Sequence, residues 1–154
     1  MDSPQTLSFM KKIFWIAFSV LILLNVYSVL SQQNLDSKVI LKEKLIRQKL
    51  LKKGYAPSYT IISGHRSEGF NKILPLSAKN SFHLYGKAID FWLGDINQDG
   101  KTNTKDVDDF VQVVREVENE NPQIIGGIGT YKGKFYSKMM VHIDVRGYRA
   151  SWNY

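Results

Sequence analysis

Cysteine is absent from the 154 residues. That excludes disulfides, thiolate metal sites and a cysteine nucleophile, and it permits an oxidising location without requiring one. Histidine is scarce: the chain has three, so any imidazole chemistry draws on His65, His83 and His142. Proline occurs four times, never between Ile13 and Leu30, so nothing breaks a helix there. Acidic residues number 14 against 21 basic ones, a formal net charge of +7. That balance points to an anionic environment: nucleic acid, an anionic membrane face or an acidic cell wall. There is no internal repeat and no low-complexity segment.

Charge is missing altogether from Ile13 to Leu30. As a helix this run spans roughly 27 Å, close to the hydrocarbon thickness of a bilayer. Lys11 and Lys12 in front of it mark the cytoplasmic side, so the rest of the chain is expected to be exported. The expected layout is a cytoplasmic tail (1–12), a single transmembrane signal anchor (13–30), a helical stalk (31–53) and a folded domain (54–154). A signal peptide cut near Ser31 is the alternative, but the site lacks small-x-small alanines. Export disfavours nucleic acid as the partner of the basic charge.

Residues 32–53 read as a basic helix carrying an apolar stripe of Leu35, Val39, Leu45, Ile46 and Leu50. A solvated helix packing that stripe on the domain explains it; contact with anionic lipid or wall polymer is the sharper alternative. Gly54 stops the helix. Beyond it, Tyr59 to Ser63 and Ala88 to Leu93 read as strands. So do 124–131 and 139–145, while 64–80 reads as loop. Residues 104–118 form an amphipathic helix with Val107, Phe110, Val111, Val114 and Val117 on one face. Mixed elements without a βαβ repeat predict an α+β fold with a mostly antiparallel sheet and flanking helices.

Two of the three histidines stand near aspartates. His83 precedes Asp90 by seven residues, with Gly86 between them to allow a tight turn. His142 and Asp144 are two apart on a strand, so they share a face. Two imidazoles and a carboxylate suffice for a catalytic zinc with its fourth position open. Asp144 then lies within reach, as general base or as a group that orients a ligand. Histidines and aspartates on strands also serve structural roles.

The stretch Ser81-x-His83-x-x-Gly86-x-Ala88-x-Asp90 resembles the signature of the D-alanyl-D-alanine carboxypeptidase group of zinc peptidases. That group shares a fold with the hedgehog signalling domain and the lysostaphin-type endopeptidases. Ile62 to Ser67 is similar to its Ser-Gly-Tyr-Arg-Ser segment. Val141 to Arg146, Trp152 and the glycines from Gly126 to Gly129 resemble the subgroup acting on murein. The resemblance covers about Gly54 to Trp152 in matching order. It implies His83, Asp90 and His142 as zinc ligands and Arg66 as a catalytic, substrate-binding arginine. Ser81 would hold the loop, and His65 would line the cleft or pack as a structural histidine. Many relatives carry an acid three residues before the last histidine; here Met139 stands there, so the base falls to Asp144.

A second motif runs from Asp95 to Asp106. Oxygen side chains at Asp95, Asn97, Asp99, Asn103 and Asp106, with Gly100 at position six, match EF-hand spacing, and Lys101 would offer its carbonyl. The segment is similar to a dockerin-type calcium loop inserted after Asp90. A turn in which Asn103 caps the following helix is the plain alternative. These readings predict a membrane-anchored, extracytoplasmic zinc peptidase acting on peptidoglycan peptides, with structural calcium. A zinc-containing wall-binding module without catalysis is the rival, and a calcium-dependent adhesion protein is a weaker third.

Overall fold

The computed structural model describes residues 4–74, 77–132 and 138–153. Five strands form one sheet: β1 (Tyr59–Ser63), β2 (Ala88–Leu93), β3 (Gly127–Thr130), β4 (Met140–Asp144) and β5 (Ala150–Asn153). Their order is β1-β2-β4-β3-β5. β1 with β2, β2 with β4 and β4 with β3 pair antiparallel, while β5 runs parallel to β3. With its flanking helices the fold is α+β and mostly antiparallel.

Period-two alternation divides the sheet. Ile89, Phe91 and Leu93 of β2 join Val141 and Ile143 of β4 in the buried core. Each such side chain contributes about 1.5–3 kcal/mol by leaving water. Helix α4 (Thr104–Glu120) covers them: Phe110 lies 5.3 Å from Phe91, ring to ring. The other set, Ala88 and Asp90 of β2 with His142 and Asp144 of β4, is left for the site.

Helix α2 (Ser37–Lys52), capped by Asp36, packs its apolar stripe on the domain. Val39, Ile46 and Leu50 are fully buried, and so is Lys42. Lys42 Nζ donates to Glu118 Oε1 at 2.6 Å and to the Asp144 carbonyl at 2.8 Å. Burial lowers the Lys42 pKa, and the bond to Glu118 only partly opposes that.

Two local expectations are corrected, and one strand is added. Residues 64–80 are not all loop, because Ser67 caps a short helix, α3 (Glu68–Ile73), too brief for periodicity to reveal. Ile124 lies in a 3-10 turn started by Pro122, and the strand begins only at Gly127. β5 lacked a recognisable pattern of its own; it pairs in register with β3.

Helix α1 (Pro4–Ser31) has one segment long and apolar enough to cross a membrane, Phe9–Ser31. Its end does not float free of the domain. Ser28 Oγ donates to the Ile61 carbonyl at 2.6 Å, and the His65 N–H donates to the Ser31 carbonyl at 2.7 Å.

Candidate metal centre

Strand register builds the site. Ser63 pairs with Asp90, Asp90 with His142, His142 with Gly129, and Gly129 with Trp152. These five residues make one row across all five strands. Directly opposed residues have Cβ atoms about 5 Å apart, so Asp90 and His142 meet without any loop bringing them together.

His83 arrives from outside the sheet, on a 3-10 turn (Phe82–Tyr85) between Ser81 and Gly86. Ser81 Oγ accepts the His83 N–H at 3.4 Å, and Gly86 ends the turn at φ +64°. That left-handed conformation favours glycine. The turn places His83 Nε2 3.2 Å from Asp90 Oδ1 and 3.2 Å from His142 Nδ1. His142 Nδ1 lies 2.9 Å from the same Asp90 oxygen. All three residues are buried, and their ligand atoms lie within 4.8 Å of one another.

The outer partners set which ring nitrogens carry hydrogen. His83 Nδ1 is 2.6 Å from the Gly64 carbonyl, which only accepts, so Nδ1–H donates. His142 Nε2 is 3.2 Å from Asp144 Oδ2, which accepts in the same way. In the neutral rings the inner nitrogens are therefore bare. With neutral rings, two lone-pair nitrogens and a carboxylate oxygen converge in a buried place, an arrangement that a shared proton or a metal ion would relieve. Two imidazoles and a carboxylate so placed could hold a metal ion.

The electrostatics agree. Burial works against the charged form of Asp90, but His83 and His142 outweigh it and hold the carboxyl well below its usual range. Burial also opposes protonation of His142, yet hydrogen bonds to Asp144 and Asp90 raise its pKa above the ordinary value. The pocket is thus tuned to attract positive charge.

Asp144, the expected general base, lies on the far side of His142 from the shared Asp90 oxygen. It sits on the outer nitrogen of His142, and its carboxylate is fully buried. Oδ1 accepts the Gly127 N–H at 2.7 Å, and Arg146 Nη2 donates to Oδ2 at 2.5 Å. These donors hold Asp144 ionised against the cost of burial. The geometry is that of a group orienting His142.

Arg66 is partly committed within the protein. Nη2 pairs with Asp90 Oδ2, leaving Oδ1 to the histidines, and Nε donates to Ser63 Oγ at 2.8 Å. Arg66 and Asp90 also line a groove of about 420 Å³ beside the cluster. His65, expected to line the cleft or pack structurally, is half-buried and held through its backbone, and it does not line this groove.

The 95–106 loop folds around its own carboxylates. Asp95 accepts the N–H groups of Asp99 and Gly100 at 3.2 and 3.0 Å. Asp106 accepts those of Ile96 and Asn103, both at 2.8 Å, closing a capping box with Asn103. Gln98 and Gly100 take positive φ, 59° and 81°. Among the described residues no second group of three histidines or carboxylates converges as the His83 group does.

Four contributors had no role assigned from the sequence. The Gly64 carbonyl sets the His83 tautomer, and Arg146 locks Asp144. The Trp152 ring lies 5.3 Å from that of His142, where Gly129 leaves it space. Lys42 reaches the Asp144 backbone from behind. The spacing of Arg146 from Asp144, two residues along an extended chain, and the place of Trp152 and Gly129 in the resemblance offered a signal; Gly64 and Lys42 offered none.

No protein-family model and no curated protein matches the sequence. Among solved structures the chain is similar to the crystal structure of Serratia marcescens L-Ala D-Glu endopeptidase ChiX, at 14% identity and a TM-score of 0.49. The match covers 77% of this chain and 86% of that one.

Proposed function

We propose that this protein is a membrane-anchored, extracytoplasmic zinc peptidase that hydrolyses amide bonds in peptidoglycan stem peptides or cross-links. The observation that carries the reading is the meeting of two imidazole nitrogens with Asp90 Oδ1 inside the motif that resembles zinc peptidases. When bound there, zinc supplies Lewis acidity, activating water near neutral pH and polarising an amide carbonyl. His83, Asp90 and His142 hold it. Asp144 fixes the His142 ring, and Arg66 fixes Asp90 while facing the groove that receives the peptide. Phe9–Ser31 serves as the anchor, and the domain lies outside the cytoplasmic membrane.

The 95–106 loop is proposed as a structural calcium site on its oxygen spacing, with Asp95, Asn97, Asp99, Asn103, Asp106 and the Lys101 carbonyl as donors. It would brace the segment that follows β2.

One observation favours a second reading, a zinc-containing wall-binding module. Asp144 is consumed by hydrogen bonds, and the position three before His142 is Met139, which is buried and holds no proton. The test is the full chain, zinc-loaded in detergent, incubated with murein sacculi. Release of soluble peptide that His142→Ala abolishes supports the peptidase. Stoichiometric zinc with sacculus binding and no release establishes the module instead.

A further inference from the structure

We propose that the last turns of α1 form a wall of the substrate pocket, and that this pocket takes a peptide carried on a membrane lipid. The inference rests on the span and peptidase readings above and names the substrate class they leave open.

The groove beside the metal cluster is lined on one side by Asp90 and Arg66 and on another by Asn25, Tyr27 and Ser28 of α1. A contact chain joins the two sides. Tyr27 Oη lies 3.4 Å from Ser63 Oγ, which accepts from Arg66 Nε, and Arg66 holds Asp90. The Tyr27 ring also stands 4.6 Å from that of Phe70 on α3. The helix that carries the span is therefore two residues removed from a metal ligand.

No flexible linker separates them. The Gly64 N–H donates to Ser31 Oγ at 3.0 Å, and the Asp36 N–H donates to the Gly86 carbonyl at 2.9 Å. A Cβ at Gly64 would stand 2.5 Å from the Ser31 carbonyl, and one at Gly86 would run into that of Asn34. Both glycines flank the turn holding His83, so the chain leaving α1 presses directly on the metal site. The domain is seated on the helix end and cannot swing away on a tether.

That seating fixes the depth of the site. The turns that wall the groove on one side present Val26, Val29 and Leu30 to the outside, 48%, 61% and 54% exposed. Such apolar exposure belongs against lipid. The groove thus opens where hydrocarbon meets water, within about one helical turn of the bilayer surface. Of stem peptides and cross-links, this depth selects the stem peptide, because an amide in cross-linked material tens of ångströms from the membrane is out of the groove's reach. A peptide attached to a membrane lipid is delivered to it. The lining suits such a peptide: Ile62, Leu74 and Met140 offer apolar wall for uncharged side chains, with the Arg66 guanidinium as the cationic floor for a carbonyl or carboxylate.

The test uses the full zinc-loaded chain in phospholipid nanodiscs and one stem peptide in two forms, lipid-linked and free. A variant keeps a membrane span but inserts an eleven-residue polar helix before Asn25, which lifts the domain by about 16 Å in unchanged helical phase. Turnover of the lipid-linked peptide is expected to fall at least tenfold, while that of the free peptide stays within twofold. Equal turnover of the lipid-linked form by both proteins overturns the inference. A photo-crosslinker at position 25 supplies a readout that needs no hydrolysis: labelled lipid-linked peptide is expected to crosslink there. If neither peptide is cleaved, the peptidase reading fails, and the crosslink still decides the pocket. If the free peptide is cleaved and position 25 captures no lipid-linked peptide, the pocket inference fails alone.

Discussion

The Asp144 carboxylate meets His142 at Nε2, 3.2 Å away, on the ring edge opposite the nitrogen that faces Asp90. A base must reach the open side of the metal; an orienting group must reach the far side of its ligand. Asp144→Asn is therefore expected to weaken zinc affinity about 10–100-fold, read by competition with a chelating dye. Unchanged affinity with lost turnover would return Asp144 to the base role.

Metal binding should also follow pH in a definite direction. Burial opposes protonation of His142, yet Asp144 and Asp90 hold its pKa above the ordinary value, and it binds a cation only as a neutral ring, so protons compete with zinc. Affinity is expected to fall steadily from pH 8 to pH 5.5. At zinc a hundredfold above Kd the fold gains about 2.7 kcal/mol, a gain that His142→Ala removes. Differential scanning calorimetry with and without chelator measures it, and equal melting temperatures in both would remove the metal centre.

Lys42 and Glu118 test the joint behind the site. Their ion pair is fully buried, with Nζ and Oε1 2.6 Å apart. Lys42→Met leaves the buried Glu118 with Arg115 at Oε2, 2.7 Å away, and the Gly126 N–H at Oε1, and is expected to cost about 3 kcal/mol, most of it restored by adding Glu118→Gln. The sign with pH follows from burial. Lys42 has a lower pKa folded than unfolded, so between the two values the unfolded chain holds more protons and stability rises with pH. Urea unfolding of wild type and Lys42→Met at several alkaline pH values reads this slope, which the variant is expected to lose.

What the sequence made legible follows from the range of each interaction. Period-two alternation placed Asp90 on the face opposite Phe91, and it put His142 and Asp144 together. The pairing of Asp90 with His142 depends on β2–β4 register, 52 residues apart in the chain, which no local pattern encodes. Lys42 read as surface because lysine usually is, and only the position of Glu118 on α4 makes its burial tolerable. The role of Asp144 turned on which ring nitrogen it touches, a matter of side-chain direction. The docking of α1 was invisible for a similar reason: Ser28 and Ser31 look like polar punctuation after a span until their partners at Ile61 and Gly64 are seen.

Gly86 probes that docking. It adopts φ +64°, and a side chain there would collide with the Asn34 carbonyl. Gly86→Ala is expected to destabilise the protein by about 3 kcal/mol, the left-handed penalty plus the overpacking cost. Gly54→Ala is the comparison, with φ +76° and open space around it, and should cost only about 1–2 kcal/mol. Chemical denaturation of the two variants checks the difference. Equal losses would mean that the chain after α1 yields easily and is not pressed on the His83 turn.

The 95–106 loop separates a metal site from a helix cap by two substitutions. Asp106 serves the cap whatever else it does, since it accepts backbone N–H groups from Ile96 and Asn103. Asp106→Ala is therefore expected to cost about 1–2 kcal/mol even in chelator. Asp95 lies at the other end, where its carboxylate gathers the Asp99 and Gly100 N–H groups and where a calcium ion would take its first ligand. Calcium is expected to raise the melting temperature of the wild type, and Asp95→Ala is expected to abolish that rise. If calcium leaves the wild type unmoved while Asp106→Ala still destabilises it, the loop is a cap and turn held by protein hydrogen bonds alone.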